Sequence, residues 1–416
     1  MMNKIEINKI ILYILNAIYF ISPWVCALEY EHQRFFLFTI VSLSLAIMLA
    51  VTTENEIKKY IIDDRIIIIF WIFFLYLIIT TNIFDLTISK NQSNKTILTG
   101  YLYTFILIIF SLAVREKEQV RKIAKIIIIT GFLNVVYSML NYYTNGQFIL
   151  IKQEGPWIID WNIQIGGTFS YKNLYASYLT LTLYIAMATF SGINSNKISL
   201  VNKIIKYIVI FTLAFGIFKT SSRGALLANL IVMIYFFMSL YHDKRNISSA
   251  IIKKIAISIS LLIGIMIHSN VWDRIEENGF SANGRDLMHN TVINTLRNEG
   301  FYFGTGIGTY ELIQEKYKQP ELGFSGVSKR AHNDYLEQLV NMGIIGYFVL
   351  LFIIYITLLI KKNKKKAHHL ESKLLRMGLL YIIIHSSFDF NLESPIIIII
   401  LIFYIHALRI GINEEN

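Results

Sequence analysis

Long apolar runs recur along almost the whole of this 416-residue chain. Stretches at or near the ~20 residues that a helix needs to cross a bilayer fall at 10–28, 35–51, 66–84, 97–114, 123–143, 174–193, 205–220, 225–242, 255–268, 335–360, 374–388 and 394–410. With lipid as solvent, a backbone N–H or C=O has no water to bond, so such runs must fold as helices that satisfy their own polar groups. Composition agrees: 55% of residues are hydrophobic and only 16% are charged. That is more apolar surface than a water-soluble chain of this length can hide. The expected fold is an all-α polytopic membrane protein with about twelve transmembrane helices. Runs 255–268 and 374–388 carry the weakest signal.

The basic residues orient these helices. With the N-terminus in the cytoplasm and a crossing at each run, the inner face collects Lys4, Lys9, Lys58, Lys59, Arg65, the 115–125 cluster, Lys197, Lys203, Lys206, the 244–254 group, the 361–376 cluster and Arg409. Among short connections, the other face receives only Arg34, Lys90, Lys95, Lys219 and Arg223. This asymmetry follows the positive-inside rule and places both termini in the cytoplasm. The net charge of +11 is therefore a topological signal and an attraction to anionic lipid, not a nucleic-acid footprint. The first run is too long for a signal peptide, and removing it would break the charge parity. Cys26 is the single cysteine, so no internal disulfide can form.

Most connections are short, but two on the outer face are long: 144–173, and 269–334 between the ninth and tenth spans. Long external segments on a helical bundle tend to carry function. In the second, Asn283-Gly284 marks a turn, 285–298 has a helical apolar pattern, and Gly304-Thr305-Gly306-Ile307-Gly308 marks a close approach of backbone. Pro395 suits the first turn of the last helix.

His332 stands at the mouth of the 335–360 run, in Lys329-Arg330-Ala331-His332-Asn333-Asp334-Tyr335-Leu336-Glu337. Asn333 or Asp334 can cap the helix, and Asp334 with Glu337 has capping-box spacing. Histidine changes charge near neutral pH, which suits it to general-base work at a membrane edge, although an interfacial histidine can also simply face water. Arg223, in the tight outer hairpin Ser221-Ser222-Arg223-Gly224, cannot shed its charge and needs an anion or a wet cavity; phosphate is the anion that a guanidinium binds through two bonds. Arg285 starts the helix of the second loop, where side chain and helix N-terminus can both address an anion. One base and two fixed cations on one face would suffice for attack by a sugar hydroxyl on a glycan linked to a lipid diphosphate. Lys316, Lys318, Lys329 and Arg330 read as solvated charges, and Trp157, Trp161, Trp272 and Tyr310 as sugar-stacking or lipid-boundary aromatics. No His, Cys or Asp cluster has metal-ligand spacing, and no phosphate loop or dinucleotide fingerprint occurs.

From about Gly166 onward the chain resembles the O-antigen ligase and polymerase family of bacterial envelope enzymes. The resemblance lies in Gly167-Thr168-Phe169-Ser170-Tyr171-Lys172-Asn173, in Ser222-Arg223-Gly224, in Gly284-Arg285 followed by Gly304-Thr305-Gly306, in His332 to Glu337 with Gly343 and Gly346, and in the Asp389 to Pro395 turn. Ser170 departs from the glycine usual in that family, so the 167–173 segment receives no role. The first 165 residues match in hydropathy alone.

The resemblance implies a single GT-C-like integral membrane unit over 1–416 with periplasmic loops at 144–173 and 269–334. It implies metal- and cofactor-independent inverting transfer of an undecaprenyl-diphosphate-linked glycan at the periplasmic side of the inner membrane. His332 would be the base, Arg223 and Arg285 would bind the diphosphate, and Asn333 and Glu337 would support them. The acceptor would be lipid A-core sugar for a ligase, a second lipid-linked repeat unit for a polymerase, or, less in keeping, a protein hydroxyl. The rival from another class is a transporter of lipid-linked sugars. That function calls for charges deep in the spans and for matched halves, whereas Arg223, Arg285 and His332 sit at or beyond the membrane edge.

Overall fold

A computed structural model describes residues 4–147, 165–191, 199–242, 285–318, 330–359 and 369–413. Among these there are helices and no strands. The helices are α1 (Lys4–Ile21), α2 (Glu31–Val51), α3 (Arg65–Ile83), α4 (Lys90–Ala113), α5 (Lys117–Tyr143), α6 (Lys172–Ser191), α7 (Leu200–Lys219), α8 (Arg223–His242), α9 (Arg285–Glu299), α10 (Tyr310–Tyr317), α11 (Asp334–Leu358), α12 (His369–His385) and α13 (Pro395–Ile410). Every predicted span has its helix except 255–268, which lies outside the described residues. Among the described residues, seven helices are long and apolar enough to cross a bilayer: α2 to α7 and α11. The chain is an all-α polytopic membrane protein.

Several helices begin where their side chains can cap them. Asp64 accepts from Ile66 N (2.9 Å) ahead of α3, Ser199 from Asn202 N (3.3 Å) ahead of α7, and Pro395 sits at the start of α13. Asp64 and Ser199 take up amides that have no partner inside the helix, and Pro395 has no amide hydrogen to satisfy. Helix α6 lies at the centre, against α5, α7, α12 and α13. Helix α13 is apolar on nearly every side and correspondingly buried.

Contacts sort the connections onto two faces. At one end Glu56 pairs with Lys4 and with Arg115 (2.9 Å), and Asp64 takes Arg409 through two bonds (2.6 and 2.8 Å). Glu371 there accepts from Ile412 N (2.9 Å) and Asn413 Nδ2 (2.8 Å). At the other end Ser170 bonds Glu29, Lys95 pairs with Glu31 (3.0 Å), and Ile88 N donates to Thr305 O (2.9 Å). Each pair joins segments that the charge pattern had assigned to one side.

The 335–360 run departs from expectation because it is not one continuous helix. Helix α11 breaks at Gly343 (φ 65°, ψ −176°), a conformation open in practice only to glycine. The 301–306 backbone docks in the break. Thr305 N and Gly306 N donate to Val340 O and Asn341 O (both 2.9 Å), and Ile344 N donates to Phe301 O (2.9 Å). Irregular backbone at a span survives where protein re-satisfies its polar groups. The outer half of α11 therefore belongs with the loop, and its buried Asp334, Glu337, Gln338 and Asn341 lie at the outer end of the bundle.

The second outer loop holds the helix expected over 285–298, observed as α9, and a second one, α10, that was not expected. Tyr310 is buried in a small core with Val292, Ile313 and Val340, so it neither stacks on sugar nor anchors in lipid. Trp157, Trp161, Trp272 and Lys329 lie outside the described residues.

Candidate active site

His332 sits in a left-handed backbone conformation (φ 50°), uncommon for a residue with a Cβ and worth roughly 1–2 kcal/mol of strain. Both flanks hold it there. Ala331 N donates to Glu337 Oε2 (2.9 Å), and Asp334 N donates to Ser386 O (2.9 Å) and Asp389 O (3.1 Å). Asn333 is the cap of α11 and accepts from Leu336 N (3.1 Å). Glu337 is fully buried and also takes Arg330 (2.8 Å), which reaches Glu393 as well (3.2 Å). Arg330 is thus an anchor of the His332 segment rather than a solvated charge.

The imidazole lies among Tyr171, Phe390 and Asp389. Its ring centre is 5.9 Å from that of Tyr171 and 5.2 Å from that of Phe390, and those two rings stack on each other at 4.9 Å. His332 Nδ1 faces Asp389 Oδ1 at 3.5 Å and makes no hydrogen bond among the described residues. Asp389 is buried; its other oxygen accepts from Asn173 Nδ2, and Asn173 also bonds the Tyr171 hydroxyl (3.0 Å). The start of α6 therefore fixes the carboxylate that addresses the histidine.

Arg223 opens α8 directly after the hairpin that follows α7. Ser221 turns the chain with φ 51°, Ser222 Oγ caps the helix by accepting from Ala225 N (3.4 Å), and Ser222 O accepts from Leu226 N (3.1 Å). A cation in the first turn opposes the helix dipole, so the hairpin concentrates positive field at the outer face. Gly224 packs against the turn 385–391: a Cβ there would stand 3.2 Å from His385 Nε2 and 3.4 Å from Phe388 Cβ. That turn also carries Asp389 and Phe390. One turn thus receives the Ser222-Arg223-Gly224 hairpin on one part and the His332 ring on another.

The turn is locked from within. His385 Nδ1 lies 2.7 Å from Ser177 Oγ and 3.2 Å from the Tyr381 hydroxyl, and Ser177 Oγ donates to Asn391 Oδ1 (2.6 Å). All these side chains are buried.

Arg285 begins α9, which packs on α10 and α11, but its side chain lies outside the described residues. The 167–170 segment docks on the turn between α1 and α2. Thr168 bonds Pro23 O, and Ser170 bonds Glu29. Burial pushes the Glu29 carboxyl above its usual range, against the hydrogen bonds from Ser170 and the more distant Arg34.

Sequence reasoning assigned no role to Tyr171, Asn173, Ser177, His385, Asp389 or Asn391. A signal existed. Ser177 and His385 interrupt otherwise apolar runs, and polar groups inside spans are costly unless they serve something.

No curated protein matches the chain. The family model Wzy_C, described as O-antigen ligase, matches residues 208–351, from within α7 to the inner half of α11. The part of the chain that carries Arg223 and His332 is thus similar to the O-antigen ligase family.

Proposed function

We propose that the protein transfers a glycan from undecaprenyl diphosphate to an acceptor sugar at the periplasmic face of the inner membrane, as an O-antigen ligase with lipid A-core as acceptor. One observation carries the reading: the turn 385–391 receives both the Arg223 hairpin and the His332–Asp389 pair. In this reading both termini are cytoplasmic, and the 144–173 and 269–334 loops are periplasmic parts of a single membrane unit.

The acceptor hydroxyl gives its proton to His332 as its oxygen attacks the anomeric carbon. The bond from that carbon to the diphosphate oxygen breaks, and undecaprenyl diphosphate leaves with the electron pair. Asp389, facing Nδ1, orients the ring so that Nε2 meets the hydroxyl, and it stabilises the imidazolium that forms. Arg223 clamps the diphosphate and offsets the charge developing on it. Arg285 is the second diphosphate cation by family likeness, and Asn333 and Glu337 hold the His332 segment in shape. These charged groups stand at the outer ends of helices, which suits chemistry on a lipid-linked glycan better than passage of one through the bundle.

The test is His332→Ala expressed in a strain that lacks the native gene. The variant should insert and fold normally while transfer stops. Full-length surface polysaccharide from a well-expressed variant would remove His332 as the base. The banding of the deletion strain separates the acceptors: bare core marks a ligase, whereas core bearing one repeat unit marks a polymerase.

A further inference from the structure

The turn docked in the α11 break carries three adjacent aromatics that stand open. Phe301, Tyr302 and Phe303 are 47%, 68% and 42% exposed. Gly304 N closes the turn on Gly300 O (3.2 Å), so the three residues occupy its tip. No charged residue occurs from 300 to 310; the flanking charges, Glu299 and Glu311, lie on α9 and α10. Three consecutive uncovered apolar side chains mark a surface that has a partner.

The depth of the turn identifies that partner. The inner part of α11, 344–358, is ~22 Å long at ~1.5 Å per residue. Lys361, the first charge beyond it, follows three residues later. Together they measure close to the ~30 Å of a hydrocarbon core. The break at Gly343, and the turn seated in it, therefore stand at the outer edge of that core, where aromatic side chains of spanning proteins collect.

Continuity points the same way. Ile344 N donates to Phe301 O (2.9 Å) and Ile345 N to Tyr302 O (3.3 Å). Ile345 heads an exposed stripe that runs through Phe348, Phe352 and Tyr355, all on one side of the helix. This is the face that α11 shows to lipid, and the turn extends it. Exposed Ile83 and Phe84 lie close by in the chain at the end of α3, where Ile88 N donates to Thr305 O (2.9 Å). Irregular backbone can border hydrocarbon only if its polar groups are satisfied. Here the carbonyls of Phe301 and Tyr302 are taken by amides that the break frees, and the amide of Gly304 is taken within the turn.

We propose that Phe301, Tyr302 and Phe303 form a membrane lip, inserted at the acyl–headgroup boundary of the phospholipid leaflet on the loop side. The lip ties the second outer loop to the bilayer surface. Thr305 and Gly306 bond Val340 and Asn341 in the outer part of α11, so the lip also fixes the height of the segment that His332 precedes. Insertion is independent of any glycan transfer.

The test is a depth measurement on the full-length protein in phosphatidylethanolamine/phosphatidylglycerol nanodiscs. Tyr302→Cys, Phe348→Cys and Asn298→Cys, each in a Cys26→Ser background, carry a nitroxide spin label. Exposed Phe348 reports the lipid-facing side of α11, and exposed Asn298 the end of α9. At Tyr302→Cys, collisions with a water-soluble nickel chelate should drop to the level at Phe348→Cys, and collisions with oxygen should rise to match. Nickel collisions as frequent as at Asn298→Cys would overturn the proposal. The wild-type chain gives a second reading that needs no substitution: phosphatidylglycerol with a diazirine in its acyl chain should label the 300–304 peptide. Absence of that label would overturn the proposal. So would spin–spin broadening at Tyr302→Cys, which would give the patch to a second copy of the chain. Neither reading needs turnover, so their outcome is separate from that of His332→Ala.

Discussion

At the residue scale, the site consists of a histidine in a strained backbone conformation and the buried carboxylate opposite its Nδ1. The strain persists because Glu337, Ser386 O and Asp389 O hold the amides on either side. Replacing Asp389 by Asn keeps the shape and removes the charge. Asp389→Asn should lower kcat on the order of 10²-fold or more with little change in donor KM, measured by in vitro transfer with purified protein. An equal loss in binding would give Asp389 a different role. Arg223→Lys keeps the charge but loses the planar fork. Donor binding should weaken by about tenfold or more in a titration with undecaprenyl-diphosphate glycan, and wild-type affinity would remove the clamp.

At the element scale, the helices follow from hydropathy because each span must satisfy its own backbone. The break in α11 does not. Gly343 reads as a glycine in an apolar run, and only the docking of 301–306 makes it a break. A Cβ at Gly343 would lie 2.3 Å from Tyr302 O and 2.4 Å from Tyr302 C. Those are backbone atoms in a hydrogen-bonded turn and cannot swing aside. Gly343→Ala should therefore destabilise the protein by at least ~2 kcal/mol, read as a fall in thermal midpoint in detergent. Protease sensitivity should rise first in the 301–309 segment. The weak hydropathy of run 374–388 has its explanation here as well: its end supplies His385 and Ser386 to the site turn.

At the scale of the whole molecule, the first 165 residues are tied to the rest of the chain by specific contacts. One is Glu29, half-buried between α1 and α2 and bonded to Ser170. Burial raises its pKa above that of the unfolded chain. Its favourable contribution is then fully present below the unfolded pKa and fades as pH rises through the folded one. Glu29→Gln, neutral at every pH, should match the wild type at about pH 4, below the unfolded carboxyl's value, and melt higher at about pH 8. Thermal midpoints at the two pH values check this; a gap that narrows with rising pH would reverse the assignment. At the opposite face, Asp64–Arg409 and Glu371–Asn413 close the C-terminus onto the bundle, so the molecule is pinned at both ends of its helices.

The lipid solvent, the helical class, nearly every span and the sharing of faces by connections are legible in local composition. Those properties follow from local hydropathy and from charges that cannot cross lipid. The sequence also singles out His332 and Arg223, since ionisable groups at a membrane edge are conspicuous. The folded chain alone shows that Asp389, held by Asn173, faces His332, that His385 lies against Gly224 of the Arg223 hairpin, and that Arg330 is an anchor. Those roles depend on contacts between residues far apart in the chain, such as Asn173 with Asp389 and Ser177 with His385. No local pattern of polarity encodes which distant side chain a buried polar group will meet.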